Sequence, residues 1–285
     1  MSEAIAHYTV LEEGVPDGIG RFVRARDTRV GRTVAVRMLT GRDAESSQRF
    51  LQDARRAATI SHQNVAATYD VGEWNGVPYI ACEFVTGEPL RAAIGGRRMH
   101  PRRAVEIAAQ IADALAEAQT AGIVHGDLTV DNAVMTPRGH VKLINVGITR
   151  WSDGTASPGS PDHQPAEPGR DIRALGEILV EMLTGKPPVK GEVLRLGGTP
   201  ELVKKLSAIV AKLQATKGSE SASMAPVVAA ELRAVAASID DAQDDLDSQP
   251  FAVNEPRRTP RLAWLLGAGA IAAIGALLWL AMRSN

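Results

Sequence analysis

The chain has 285 residues, 45% apolar and 23% charged, so most of it can bury a core and it is not disordered by composition. A formal net charge of −1 excludes the broad basic field of nucleic-acid binders, and no nucleic-acid partner is expected. The single cysteine, Cys82, excludes an intramolecular disulfide and a cysteine-rich zinc site, and it fits a reducing compartment.

The first ten residues, MSEAIAHYTV, lack a basic region followed by an apolar one, so no secretory signal is expected there. Strand-like runs follow at 7–11, 22–27, 33–39, 67–71 and 77–84, and Trp74-Asn75-Gly76 supplies a hairpin turn between the last two. A helix over 46–60 interrupts them, with Phe50, Ala54, Ala57 and Ala58 on one side. After Pro89 the period changes. Positions 104, 107, 108, 111, 115 and 118 form an apolar stripe that predicts a helix over 101–121, stopped by Gly122. Further helices are predicted over 171–184, closed by Gly185 and Pro187, then 200–213 and 222–237. A small β-rich lobe (8–84) before a larger helical lobe (89–237) is an α+β layout.

Residues 240–256 carry six acidic residues and no Lys or Arg, which reads as a solvated tether. With Arg257, Arg258 and Arg261 they form a juxtamembrane linker over 238–261. From Leu262 to Met282 no charge occurs, and a helix of that length spans about 30 Å, the thickness of a bilayer's hydrocarbon core. Trp264 and Trp279 stand near its two ends, where an aromatic belt lies. A single transmembrane helix is therefore expected at 262–282. Three arginines before it against Arg283 after it direct the body to the cytoplasm and residues 283–285 outside. The expected location is the inner, cytoplasmic membrane.

Residues 123–150, IVHGDLTVDNAVMTPRGHVKLINVGITR, place a polar loop before two short strands joined at Pro137-Arg138-Gly139, then a turn at Asn145-Val146-Gly147. This resembles the catalytic loop and metal-binding loop of bacterial serine/threonine protein kinases. VAVR on the third strand, ACEFVTGEPL after the hairpin and RDIRALGEILVEMLTGKPP further on agree in order and spacing. The resemblance covers about residues 8–237. It implies a two-lobed kinase fold that uses ATP and Mg²⁺. Carried over by position, it makes Asp127 the catalytic base and Asn132 a catalytic-loop residue that helps hold the metal. The same resemblance places Gly18, Gly20, Phe22, Ala35, Arg37, Asp53, Cys82, Glu83 and Val85 around the nucleotide, and Asn132 with Asn145 at the metal.

Several of these positions depart from the family. Asn145 stands for the metal-binding Asp, bringing a dipole where Mg²⁺ favours a charge. Arg37 stands for the phosphate-binding Lys, and a planar fork does not replace a point charge. Asp53 stands for the helix Glu, so a longer base facing a shorter acid implies a retained ion pair. Val15 and Asp17 occupy the first two loop glycines, Thr129 the catalytic-loop Lys, Val146 the Phe of the metal loop and Gly126 the loop Arg. Ser160-Pro161-Asp162 is a weak match to the segment anchor.

These departures converge on phosphate and metal, where phosphoryl transfer depends on electrostatics. They imply a membrane-anchored pseudokinase working as a scaffold or regulator of a protein partner, such as an active kinase or a phosphopeptide-reading domain. Retained Asp127 and Asn132 leave open a weakly active serine/threonine kinase. An ATP-binding switch without transfer is the third reading. In its basic setting Thr259 is a candidate phosphorylation site for other kinases.

Overall fold

The computed structural model describes residues 3–14, 20–41, 43–148, 151, 168–189, 196, 199–216 and 224–239. The chain divides into two units, Met1–Ser248 and Gln249–Asn285, and the described residues all belong to the first. Gly18, the segment around Ser160-Pro161-Asp162, Thr259 and the span expected at 262–282 lie outside the described residues. No helix among the described residues is long and apolar enough to cross a membrane.

The N-terminal lobe is an antiparallel sheet of β1 (Ala4–Ile5), β2 (Tyr8–Glu13), β3 (Gly20–Asp27), β4 (Thr33–Leu39), β5 (Thr68–Trp74) and β6 (Val77–Glu83). Its strand order is β1-β2-β3-β4-β6-β5. Alternation turns Tyr8, Val23, Ala25, Val34, Val36, Tyr79 and Ala81 into one apolar cluster. The β5–β6 hairpin turns at Asn75 and Gly76, both with positive φ (51° and 76°), the pair of left-handed conformations that a tight two-residue hairpin requires. The short β1 carries too little pattern to be predicted.

Helix α1 (Ala44–Ala57) starts two residues before the expected helix because the Asp43 carboxylate accepts the Ser46 N–H at 2.7 Å, a side-chain cap. Phe50, Ala54 and Ala57 face inward as expected. Ala58 does not: it sits exposed as the C-cap, one residue beyond the helix.

The second lobe contains β7 (Glu88–Pro89), α2 (Leu90–Ile94), α3 (Pro101–Thr120), β8 (Ala133–Met135), β9 (Val141–Leu143), α4 (Pro168–Thr184), α5 (Pro200–Ala215) and α6 (Met224–Ala237). All six positions of the α3 stripe are buried, and so are Val105, Ala109, Ala112 and Ala114. A helix buried on more than one face forms the axis of its lobe, and α3 packs against both α4 and α6. Strands β7-β8-β9 form a small second sheet.

The lobes are joined at the loop after α1. Val65 bridges Leu143, Ala66 N–H donates to the Leu143 carbonyl, and Leu143 N–H donates to that of Asn64. The buried Asn64 amide donates to Val141 O at 2.7 Å and to Gln110 Oε1 at 3.0 Å, tying this loop to β9 and α3. The body is thus two-lobed and α+β.

Candidate functional site

A cleft opens between the lobes. Its roof is Phe22 from β3 and Ala35 and Arg37 from β4. Ile80 and Cys82 from β6 form its back, with the backbone link Glu83-Phe84-Val85 at its edge. Val134 and Ile144 line the floor, and Asn145, Val146 and Ile148 close the inner end beside Ala57 and Val65. Strand register explains the roof: Ala35 faces Cys82 across β4 and β6, and Phe22 faces Arg37 across β3 and β4. Seven of the residues expected around nucleotide and metal therefore converge on one space: Phe22, Ala35, Arg37, Cys82, Glu83, Val85 and Asn145.

The outer end is apolar, with backbone at its edge. The Glu83 carboxylate is engaged elsewhere, accepting from Lys142 Nζ at 2.8 Å and from Ala67 N–H at 3.2 Å. Burial pushes the Cys82 thiol upward, so it acts as a small neutral wall. This half fits a flat heterocycle.

The inner end is built differently. Arg37 is 8% exposed, and its guanidinium lies 4.7 Å from the centre of the Phe22 ring, a cation–π contact that fixes the fork. Asn145 adopts φ +64°, in the left-handed region that Asn tolerates. Asn132 Nδ2 donates to the Asp127 carbonyl at 2.8 Å, which leaves Asn132 Oδ1 as an acceptor. Asn145 Nδ2 then donates to that oxygen at 3.2 Å. The oxygen with which Asn132 would ligate a cation is thus covered by an N–H. Asn145 Oδ1 is buried without a hydrogen-bond partner. Mg²⁺ favours several oxygens and preferably carboxylates. No cluster of three or more His, Cys, Asp or Glu among the described residues is placed to hold a metal ion. The outer half suits the flat heterocycle of a nucleotide; a divalent ion does not fit the inner pair as it stands.

Gly20, Asp53, Asp127 and Asn132 are not among the residues lining the cleft. A Cβ on Gly20 would lie 2.4 Å from the Met38 carbonyl oxygen, so sheet packing alone demands glycine there. Asp53 accepts the Trp151 indole N–H at 3.0 Å, a contact with no forerunner in the sequence reading.

The loop holding Asp127 hangs from α4. The buried Asp171 carboxylate accepts the N–H groups of His125 (2.7 Å) and Gly126 (3.0 Å). Burial raises Asp171 to about 6 despite these bonds, and burial lowers His125 to about 4. On the far side Arg91 grips Asp131 through two nitrogens at 2.8 Å each and reaches Glu181 at 3.3 Å. Asp171, Lys142, Trp151 and Arg91 are the residues that sequence reasoning missed. The first could have been suspected from a lone acid opening an apolar helix; the others carried no signal.

A two-lobed body with a cleft between the lobes, backbone at its rim and a catalytic-type loop below defines a protein-kinase-like molecule. Residues 17–225 match the protein kinase domain, and the chain belongs to that family. It is 35% identical over 199 residues to a probable serine/threonine-protein kinase of Streptomyces coelicolor, covering 61% of this chain and 30% of that one. Against serine/threonine-protein kinase PknA of Mycobacterium tuberculosis it is 34% identical over 198 residues, covering 61% of this chain and 46% of that one. The chain thus spans less than half the length of these relatives. The PknI kinase domain of Mycobacterium tuberculosis shares the fold, with TM-score 0.64 and 19% identity over 82% of this chain and 98% of that one.

Proposed function

We propose that this serine/threonine protein kinase-like chain is a membrane-anchored pseudokinase, a scaffold or regulator that works by binding a protein partner rather than by transferring phosphate. One observation carries the reading: Asn145 Nδ2 donates to Asn132 Oδ1 where the family's pattern puts two metal ligands. Family members use Mg²⁺ to polarise the phosphoryl group, a contribution of several kcal/mol to the barrier. An amide pair satisfied by its own hydrogen bond supplies no such charge.

Gly126 adds to the case, since it offers no guanidinium to receive a phosphate from the activation segment. Membrane attachment through 262–282, with the body on the cytoplasmic side, rests on the uncharged run and its flanking arginines. The protein partner is an active kinase or a phosphopeptide-reading domain.

A second reading, a weakly active serine/threonine kinase, draws on Asp127. Its loop is held in place by Asp171, and its carbonyl holds Asn132. One experiment separates the two. Full-length protein is incubated with γ-labelled ATP and Mg²⁺ or Mn²⁺, with Asp127→Asn as the blank. The pseudokinase reading expects no label above the blank and full cellular function of Asp127→Asn. Label that disappears with Asp127→Asn, together with loss of the cellular role, supports the kinase.

A further inference from the structure

We propose that the cleft binds an adenine nucleotide without a metal ion, holding its phosphates through Arg37, so that Mg²⁺ weakens the complex instead of forming part of it. The proposal rests on reading this cleft as non-catalytic and names its ligand.

Three features lead there. First, the outer half keeps an apolar slot between Ala35 and Val134 with the Glu83–Val85 backbone at its edge. The Glu83 carboxylate, already held by Lys142, adds little repulsion toward an anion. Second, Arg37 is the one cation among the described lining residues, and Glu83 the one anion. A guanidinium carries five N–H donors in a planar fork, so it can keep a protein partner and still meet a phosphate in bidentate fashion. Its seat on the Phe22 ring fixes the fork before the ligand arrives.

Third, the inner pair turns an N–H toward the oxygen a cation would need. The chain of orientation is closed: the Asp127 carbonyl fixes Asn132, Asn132 fixes Asn145, and flipping Asn145 would set two amide oxygens against each other. A nucleotide arriving with Mg²⁺ brings a partly neutralised phosphate to Arg37 and a dication to a site without a carboxylate. The free nucleotide brings full anionic charge and demands nothing from Asn132.

The test is ATP titration of the full-length chain in detergent micelles, followed calorimetrically in excess EDTA and again in excess Mg²⁺. The expected result is tighter binding in EDTA, by about tenfold. Arg37→Met should remove the preference. Asn145→Asp should invert it by restoring a carboxylate beside Asn132. Tighter binding with Mg²⁺ in the parent chain, or no binding in EDTA, overturns the proposal. Either result leaves the pseudokinase reading standing, because that reading fails only if label from γ-labelled ATP is transferred in an Asp127-dependent way.

Discussion

Trp151 is one of the largest buried side chains, 1% exposed, yet it lies in a stretch of sequence dominated by Pro, Gly and Ser. Its ring meets Phe50 edge-on at 5.8 Å, and its indole N–H reaches Asp53, so it closes the inner face of α1. The position where the resemblance implies an ion pair with Arg37 therefore also carries a bond to the segment after the metal-type loop. Trp151→Phe keeps the apolar contact and loses one bond to a charged acceptor; it should cost about 1.5–3 kcal/mol. Trp151→Ala also opens a cavity, and about 3–5 kcal/mol is expected. Urea unfolding of the two variants gives that order, and a Trp151→Phe variant as stable as the parent would mean the indole N–H contributes nothing. None of this was legible beforehand, because the partners are 98 residues apart and no local pattern links them.

At the scale of elements, the loop of residues 123–132 is a backbone turn suspended from a carboxylate. Asp171→Ala would leave the His125 and Gly126 N–H groups without their acceptor, a loss of roughly 2–5 kcal/mol. The same pair governs acid behaviour with opposite signs. His125 falls to about 4 in the fold from 6.5, so its contribution is present above pH 6.5 and lost as pH falls through 4. Asp171 rises to about 6 from 3.8, so its contribution is full below pH 3.8 and lost as pH climbs through 6. Over the shared window the two slopes nearly cancel. His125→Leu removes one of them. Relative to the parent, this variant should gain up to about 3 kcal/mol between roughly pH 7 and pH 4. Chemical denaturation at a series of pH values checks it, and a pH-independent difference would deny His125 its buried neutral state. The sequence made this loop legible as a motif, since spacing and residue types are local. Its supports were not legible, because Asp171 and Arg91 reach it from helices 40 residues or more away.

For the whole body, the sheet-then-helix order, the five long strands and the principal helices could be read from the sequence pattern alone. The errors fell at ends, where caps such as Asp43 decide, and at β1, β7 and α2, which are too short to show a period. Closure of the first sheet was also out of reach. Tyr8 on β2 donates to Asp70 on the opposite edge strand β5 at 3.0 Å, and Tyr79 donates to the same oxygen at 2.8 Å. The sheet must therefore curl until β2 approaches β5, and one carboxylate holds the two phenols together. Burial and the Asp70 charge disfavour both phenolates: Tyr79 is pushed to about 12 and Tyr8 higher still. Tyr69 is raised too, first by its burial. The chain contains only these three tyrosines, so all of them resist ionisation in the fold. The sign follows directly. Below pH 10 neither state ionises and stability is intact. Above it the unfolded chain releases phenolic protons that the folded chain keeps, so stability falls as pH rises toward 12. The tyrosinate absorbance of Tyr8 and Tyr79 should therefore stay low in the folded protein near pH 10 and rise only with the loss of circular dichroism. Tyr8→Phe, which removes one hydrogen bond and one titrating group, should lower stability at neutral pH by about 1 kcal/mol and flatten the alkaline slope. Two or more tyrosinates appearing near pH 10 with dichroism unchanged would show that Asp70 does not hold Tyr8 and Tyr79 in the folded sheet.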